Sequence, residues 1–221
     1  MKTSKSPAQK GRSAIADAVR RRGQSPYNLW IIRPPLQQQD IIVNSDPKME
    51  LVYLLEGDPT LEEIDYGPLR RAPDEERKAK RLSASEQPEH FADVVRSGVK
   101  GRVFWGGTQP PPPEMLAPSD LYLSIPDLDA NVMRIDNWRR IAPAIRRVSA
   151  HPTDALERQM ITLLSKGSKM SVADILSALI GHPPALALGV VGILLRQRQL
   201  EGDLDQRLWS LHTRVWARRP A

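Results

Sequence analysis

Asp93 is the residue through which this chain could carry out hydrolytic chemistry. It lies in the run His90-Phe91-Ala92-Asp93-Val94-Val95-Arg96-Ser97-Gly98, and Arg102-Val103-Phe104-Trp105-Gly106-Gly107 follows. Apolar and β-branched residues on both sides of Ser97-Gly98 predict a hairpin with strands at 91–96 and 102–105. Carboxylates on such a hairpin can hold Mg²⁺, and a bound metal activates water for hydrolysis. Asp93 is the one carboxylate between residues 90 and 107.

The chain offers few other groups for such a site. It contains no cysteine, which excludes a thiolate zinc site, a disulfide and a thiol nucleophile. Lys100 falls inside the expected turn, where we expect an exposed lysine. None of the four histidines has the spacing of a metal ligand: His90, His151, His182 and His212. The sequence therefore identifies no complete metal site.

Residues 28–150 predict a mixed α/β domain, because strand and helix patterns alternate along them. Besides the hairpin, strands are predicted at 29–32, 40–43 and 120–125, a short extended piece at 60–68, and helices at 48–56 and 131–148. Pro143 is expected to kink or end the second helix. The charged segment 70–89 is interpreted as a loop or an exposed helix.

Residues 151–221 predict a winged-helix domain of three helices and a β wing. Asp154 with Glu157 is typical of the start of a first helix, and Ser171 with Asp174 of the start of a second at 172–180. Pro183-Pro184 opens a third helix that runs to Gln199. The wing is expected from residues 202–205 and 208–216.

The third helix is unusually apolar. Its longest apolar run, 185–195, has eleven residues, about half of what a membrane span needs, so we expect a buried helix. Few of its positions could reach base edges. We therefore favour docking to a protein partner over sequence-specific reading of DNA, through Leu186, Val190, Ile193 and Leu194.

The net charge of +6 is concentrated at the N-terminus. Residues 1–25 hold seven basic residues against Asp17, which gives +6 and leaves zero for the rest. Residues 1–27 are therefore interpreted as a disordered basic arm, either a solubilising tail or a contact for phosphates. Candidate contacts to DNA backbone are Arg20, Arg21, Arg22, Arg214, Arg218 and Arg219. No apolar segment of a secretory signal follows the basic residues, so a cytoplasmic protein is expected.

Several stretches together resemble the TnsA-type endonuclease subunits of heteromeric transposons. The run Asn44-Ser45-Asp46-Pro47-Lys48-Met49-Glu50-Leu51-Val52-Tyr53-Leu54-Leu55-Glu56-Gly57-Asp58-Pro59 is similar to a helix of that family. His90–Val95 resembles the strand that bears its metal-binding Asp, and Arg102–Gly107 the partner strand. The resemblance implies a restriction-endonuclease-like PD-(D/E)XK core with a mixed sheet and flanking helices, followed by a C-terminal winged helix.

The resemblance also implies that the active site is degenerate. Asp93 matches the first metal ligand, but Lys48 stands where the family's helix has its glutamate. Glu50 is two residues away, which turns a side chain by about 200° on a helix. Phe104-Trp105-Gly106-Gly107 stands where an acid and a lysine are expected. Asp93 is thus interpreted as a remnant, and Mg²⁺ is implied only if nuclease activity survives.

Three hypotheses follow from the sequence. The first is a degenerate TnsA-like accessory subunit that binds a transposase or AAA+ ATPase partner and, largely without specificity, the DNA backbone. The second is an active Mg²⁺-dependent endonuclease with a rearranged metal site of Asp93, Glu50 and an acid such as Asp120. The third is a winged-helix DNA-binding regulator with an unrelated N-terminal domain.

Overall fold

The chain is a mixed α/β protein, as the order of its sequence patterns indicated. The computed structural model describes residues 28–71, 88–106, 110–165 and 169–218, and every element named below lies in these ranges. These elements form sheets of two, four and three strands together with helices. The basic arm predicted at 1–27 lies outside the described residues, as does Arg219.

The first elements confirm the predicted strands and helix. Strand β1 (Trp30–Ile32) pairs antiparallel with β2 (Ile41–Val43), and helix α1 (Asp46–Gly57) follows. The Ser45 side chain caps α1 by accepting a hydrogen bond from the Lys48 backbone N–H at 3.4 Å. Strand β3 (Leu61–Asp65) and the short helix α2 (Gly67–Arg71) come next.

A four-stranded mixed sheet contains the predicted hairpin. Strands β4 (Glu89–Arg96) and β5 (Val99–Trp105) pair antiparallel, and β6 (Leu121–Leu123) pairs parallel with β5, in the order β3-β4-β5-β6. The turn has positive φ at both central residues, 50° at Ser97 and 73° at Gly98. Such a backbone matches the twist of the flanking strands, which explains the tight reversal.

Helices α3 (Ile125–Ala130) and α4 (Val132–Val148) follow the sheet. Pro143 lies inside α4, and the helix continues five residues past it to Val148, so Pro143 does not end it. Pro143 is exposed. The hydrogen bond that its missing N–H cannot make is therefore lost on the solvent side, where the loss costs least.

Three helices and a small sheet complete the chain. Their bounds are α5 (Asp154–Leu164), β7 (Met170–Ser171), α6 (Val172–Ala178), α7 (Pro184–Arg196), β8 (Leu200–Gly202) and β9 (Arg214–Ala217), with the antiparallel sheet order β7-β9-β8. The predicted capping box of Ser171 and Asp174 is confirmed. At α5 the cap differs from the prediction: Thr153 is the N-cap, and its hydroxyl donates to Glu157 at 2.6 Å.

Helix α4 contributes to both hydrophobic cores. Ile135 packs in the core built by α1, β1 and the four-stranded sheet, whereas the next turns, from Trp138, pack in the core built by α5, α6 and α7. Glycines let α7 approach α4 closely, because a Cβ at Gly189 would lie 2.4 Å from Val148 Cγ2. A Cβ at Gly192 would meet Ile145 at 2.8 Å. The two helices are therefore in backbone-close contact.

This packing corrects the predicted docking surface. Val190 and Leu194 are 0% exposed and Ile193 is 4% exposed, because the chain's own α4 and neighbouring helices cover them. Leu186 is half-buried against the same core. Helix α7 is apolar on several sides because it is a central core helix, so the buried side chains of Val190, Ile193 and Leu194 cannot receive a partner in this structure, and Leu186 is only partly covered. None of the described helices is both long and apolar enough to cross a bilayer.

A buried ion pair links α7 to α1. The Arg196 guanidinium donates through Nε to Glu56 Oε2, and the Tyr66 hydroxyl donates to Glu56 Oε1 at 3.1 Å. The side chains of Glu56 and Arg196 are 0% and 8% exposed. Burial raises the pKa of Glu56, although the guanidinium groups of Arg196 and Arg198 and the Tyr66 hydroxyl oppose that shift. Arg198 adds a hydrogen bond to the backbone carbonyl of Leu61 at 3.0 Å.

Replacing Arg196 with methionine tests this link. The change leaves the Glu56 carboxylate buried without its guanidinium, so we expect the free energy of unfolding to fall by about 3–5 kcal/mol. Adding Glu56→Gln removes the buried charge, and the double variant should recover part of that loss. Urea unfolding followed by tryptophan fluorescence measures both variants. A single variant within about 1 kcal/mol of the parent contradicts the structural role of the pair.

Candidate functional site

Asp93 lies on the outer face of the four-stranded sheet. Its cross-strand partners are Asp65 on β3 and Arg102 on β5. Asp93 Oδ1 lies 2.9 Å from His90 Nε2, although residues three apart on a regular strand point to opposite faces. A register shift between His90 and Ala92 brings them together, because a bulge re-aims the side chains that flank it. Asp93 is therefore already engaged within its own strand.

Aromatic and cationic side chains occupy the neighbouring positions on β5. The rings of His90 and Phe104 have centroids 5.6 Å apart, and the Arg102 guanidinium carbon lies 5.0 Å from the centroid of Phe104. Trp105 points the other way and is buried in the core. The positions that the resemblance assigned to an acid and a lysine thus hold a stacking residue and a core residue.

Asp120 forms an ion pair at the edge of this face. The Arg102 guanidinium donates to Asp120 Oδ2 at 2.6 Å, and the backbone N–H groups of Arg102 and Ala117 donate to the same carboxylate at 2.8 and 3.0 Å. Burial would raise the pKa of Asp120, but these hydrogen bonds and the Arg102 charge outweigh it, so the pKa lies below its ordinary value. Asp120 is 2% exposed as a side chain and is saturated with donors.

The two candidate residues of α1 point to different parts of the molecule. Lys48 forms an ion pair with Glu89 at the start of β4. Glu50 instead lies 3.4 Å from the Arg139 guanidinium on α4. Two residues apart on a helix are about 200° apart around its axis, which accounts for the separation. Glu50 and Asp93 therefore have different partners.

The donor set around Asp93 does not fit a magnesium site. Mg²⁺ requires hard oxygen ligands in near-octahedral geometry, usually from more than one carboxylate or from a carboxylate and phosphate. Here Asp93 faces His90 and Arg102, and its cross-strand neighbour Asp65 accepts a hydrogen bond from the Gly67 backbone N–H at 2.8 Å, while Asp120 and Glu50 are paired with arginines. Within the described ranges, no three His, Cys, Asp or Glu side chains are grouped so as to hold a metal ion.

A second candidate site is an open polar groove in the C-terminal part, which we call the wing groove. It is lined by Lys169, Ser171, Asp174, Arg207, His212 and Arg214. The side chains come from β7, the start of α6, the β8–β9 connection and β9. On β9 the alternation of a strand buries Val215 completely and turns Arg214 outward. The small sheet thus brings distant basic residues to one surface.

Arg214 and Arg218, the described DNA-contact candidates of this region, lie in different surroundings. Arg214 is exposed in the wing groove, where its positive charge contributes to lowering the pKa of Asp174, after the hydrogen bonds from Ser171. Arg218 lies 3.7 Å from Glu201, outside the groove lining. Sequence reasoning did not group Lys169, Arg207 and His212 with Arg214, because only the strand pairing and the loop between β8 and β9 bring them together.

Comparison with protein-family models, with curated proteins and with solved structures finds no match for this chain. Its function is therefore argued from the geometry of the two sites.

Asp120→Asn tests the Arg102–Asp120 pair through its pH dependence. At neutral pH we expect the free energy of unfolding to fall by about 1.5–3 kcal/mol, the usual contribution of a hydrogen bond to a charged group. The folded-state pKa of Asp120 is lowered, so the ionised carboxylate stabilises the fold fully at pH values above its unfolded-state pKa of about 3.9. This contribution disappears as the pH falls through the folded-state pKa. Urea unfolding between neutral and strongly acidic pH should show parent and variant converging.

The matched control is Asp129→Asn on α3, where the side chain is exposed. We expect this change to alter stability by less than about 0.5 kcal/mol at neutral pH. A difference between the parent and Asp120→Asn that stays constant from neutral to acidic pH contradicts the role of the ionised carboxylate.

Proposed function

We propose that this chain is a TnsA-like accessory subunit of a heteromeric transposition machinery. It binds the DNA backbone and a transposase or AAA+ ATPase subunit, and it does not cut DNA. In this proposal residues 28–150 are a restriction-endonuclease-like core and residues 151–221 a winged helix. The mixed sheet, with a hairpin followed by a parallel strand, is compatible with the first part, and three helices with a small antiparallel sheet are compatible with the second.

One observation carries the proposal: the hairpin keeps Asp93, but on the partner strand β5 a cation and an aromatic ring stand beside it instead of a second acid. His90 holds the carboxylate, and Arg102 and Phe104 stack beside it on β5. A cation next to the one retained acid neutralises the negative charge that would attract Mg²⁺. The same stacking stabilises the hairpin, so the fold can persist after the metal ligands are lost.

Plasmid incubation with the chain in Mg²⁺ or Mn²⁺ tests this proposal. We expect gel retardation of the plasmid without nicking or linearisation, and the same result with Asp93→Ala, because Asp93 contributes to the hairpin and not to hydrolysis. Binding is expected to weaken steeply as salt rises, since backbone contacts release counterions.

Metal-dependent cutting that disappears in Asp93→Ala would falsify the accessory role and favour an active endonuclease with a rearranged site. Sequence-specific protection of DNA by the chain in a footprint would favour the winged-helix regulator. The neighbouring genes give an independent test, because a recombinase-type transposase and an AAA+ ATPase are expected beside this one.

A further inference from the structure

We infer that the wing groove binds the phosphodiester backbone of nucleic acid through Lys169, Arg207 and Arg214. The inference rests on the proposed function in one respect, that nucleic acid is the source of the phosphate. It adds the location of the backbone contact. Nothing in the resemblance assigns a ligand to Lys169, Arg207 or His212.

The wing groove is built by strand pairing. Ser171 on β7 is the cross-strand partner of Arg214 on β9, so both side chains lie on one face of the sheet. Lys169, two residues before Ser171, lies on that face too, with Nζ 4.1 Å from the centroid of the Trp216 ring. Val215 stands between Arg214 and Trp216 on β9, and its side chain is fully buried. This burial fixes the orientation of the strand. Lys169 and Arg214 are therefore placed on one face of the sheet, and Arg207 reaches the groove from the β8–β9 connection.

The charge balance of the wing groove favours an anion. Lys169, Arg207 and Arg214 contribute three positive charges, and Asp174 is the one carboxylate among the lining residues. Asp174 Oδ2 accepts hydrogen bonds from the backbone N–H and hydroxyl of Ser171 at 3.2 and 2.6 Å, which hold this carboxylate at the start of α6. The lining thus has an excess of two positive charges, and the His212 imidazole adds a further donor.

Asp203 lies behind the groove and reduces that excess without removing it. It accepts a hydrogen bond from the Arg214 backbone N–H at 2.9 Å, and its other oxygen lies 3.6 Å from Arg207 Nε. Its side chain is 12% exposed, whereas that of Arg207 is 61% exposed. The guanidinium of Arg207 therefore keeps donors free for solvent or for a ligand outside the fold.

Phosphodiester chemistry fits this arrangement better than an acidic peptide does. Guanidinium groups bind phosphate and carboxylate oxygens alike in paired hydrogen bonds, so the cations alone do not separate the two ligands, and the aromatic neighbour does. Trp216 beside Lys169 gives the rim of the groove an aromatic surface next to the cations. Both features are typical of surfaces that follow a nucleic-acid backbone.

Fluorescence anisotropy of the full chain with a labelled duplex of arbitrary sequence tests the inference. The groove variant is Arg207→Gln with Arg214→Gln. Because two phosphate contacts are lost, we expect the slope of log K against log salt to become shallower by about two, and affinity at moderate salt to fall at least about tenfold. The matched control is Arg146→Gln with Arg147→Gln, which removes the same charge from the exposed last turn of α4.

The outcomes separate the two proposals. Parent binding that the groove variant retains with an unchanged salt slope overturns the groove assignment and leaves the accessory role standing. An equal loss in the control variant also overturns it, because the effect then reflects net charge and not a site. If poly-glutamate competes as strongly as unlabelled duplex, the groove is assigned to an acidic peptide. If inorganic phosphate competes as strongly as duplex at the same phosphate concentration, the groove is assigned to free phosphate. Cutting that depends on Asp93, with the groove behaving as inferred, overturns only the accessory role.

Discussion

The buried ion pair between Glu56 and Arg196 is the constraint on which the arrangement of the two halves depends. It joins the last turn of α1 to the last turn of α7, and Tyr66 completes the hydrogen bonding of the carboxylate. Each buried charge costs several kcal/mol in lost hydration. The pair persists only because close contact and hydrogen bonds compensate for that cost. Burial, with the charge of Arg196, also lowers the pKa of Arg198 to about 10. If α7 shifted against α1, a charge would be left buried and unpaired. The pair therefore specifies one relative position of these helices, beyond any net stability that it contributes.

Helix α4 packs into the hydrophobic cores of both halves. Its first turns pack against the core beneath the mixed sheet, and its later turns pack against α7 through the glycine contacts at Gly189 and Gly192. Helix α4 also makes a polar link: the Asn137 side-chain amide donates hydrogen bonds to the carbonyls of Leu204 and Arg207, at 2.6 and 2.7 Å. One helix thus packs on α1 in the core below the sheet and holds the loop that carries a groove cation.

The two sites differ in whether their charges are neutralised by the protein itself. Asp93 on the sheet lies beside His90, whereas Asp120 at the sheet edge and Glu50 on α1 are each paired with an arginine. In the wing groove three cations face Asp174, and Asp203 behind the groove reduces the positive excess without removing it. A self-neutralised surface suits a structural role, whereas an uncompensated one attracts a ligand of opposite charge. The geometry therefore favours the groove over Asp93 as the site for an anionic ligand such as the proposed nucleic-acid backbone.

The sequence by itself determined the local elements. Period-two and period-3.6 patterns, the Ser45 and Ser171 caps and the Ser97-Gly98 turn each depend on residues within a few positions of one another, and most strands and helices that they predicted are confirmed. The wing predicted at 202–205 and 208–216 is the exception, because its strands lie at 200–202 and 214–217 and turns and bends lie between them. The sequence also identified the two-residue offset of Lys48 and Glu50, which helix geometry fixes. Only the tertiary structure decided what covers α7, because an apolar helix side has the same pattern whether it meets its own chain or a partner. The same holds for the partners of Glu56 and for the convergence of Lys169, Arg207 and Arg214. Charges far apart in the chain acquire neighbours only when strands pair and helices pack.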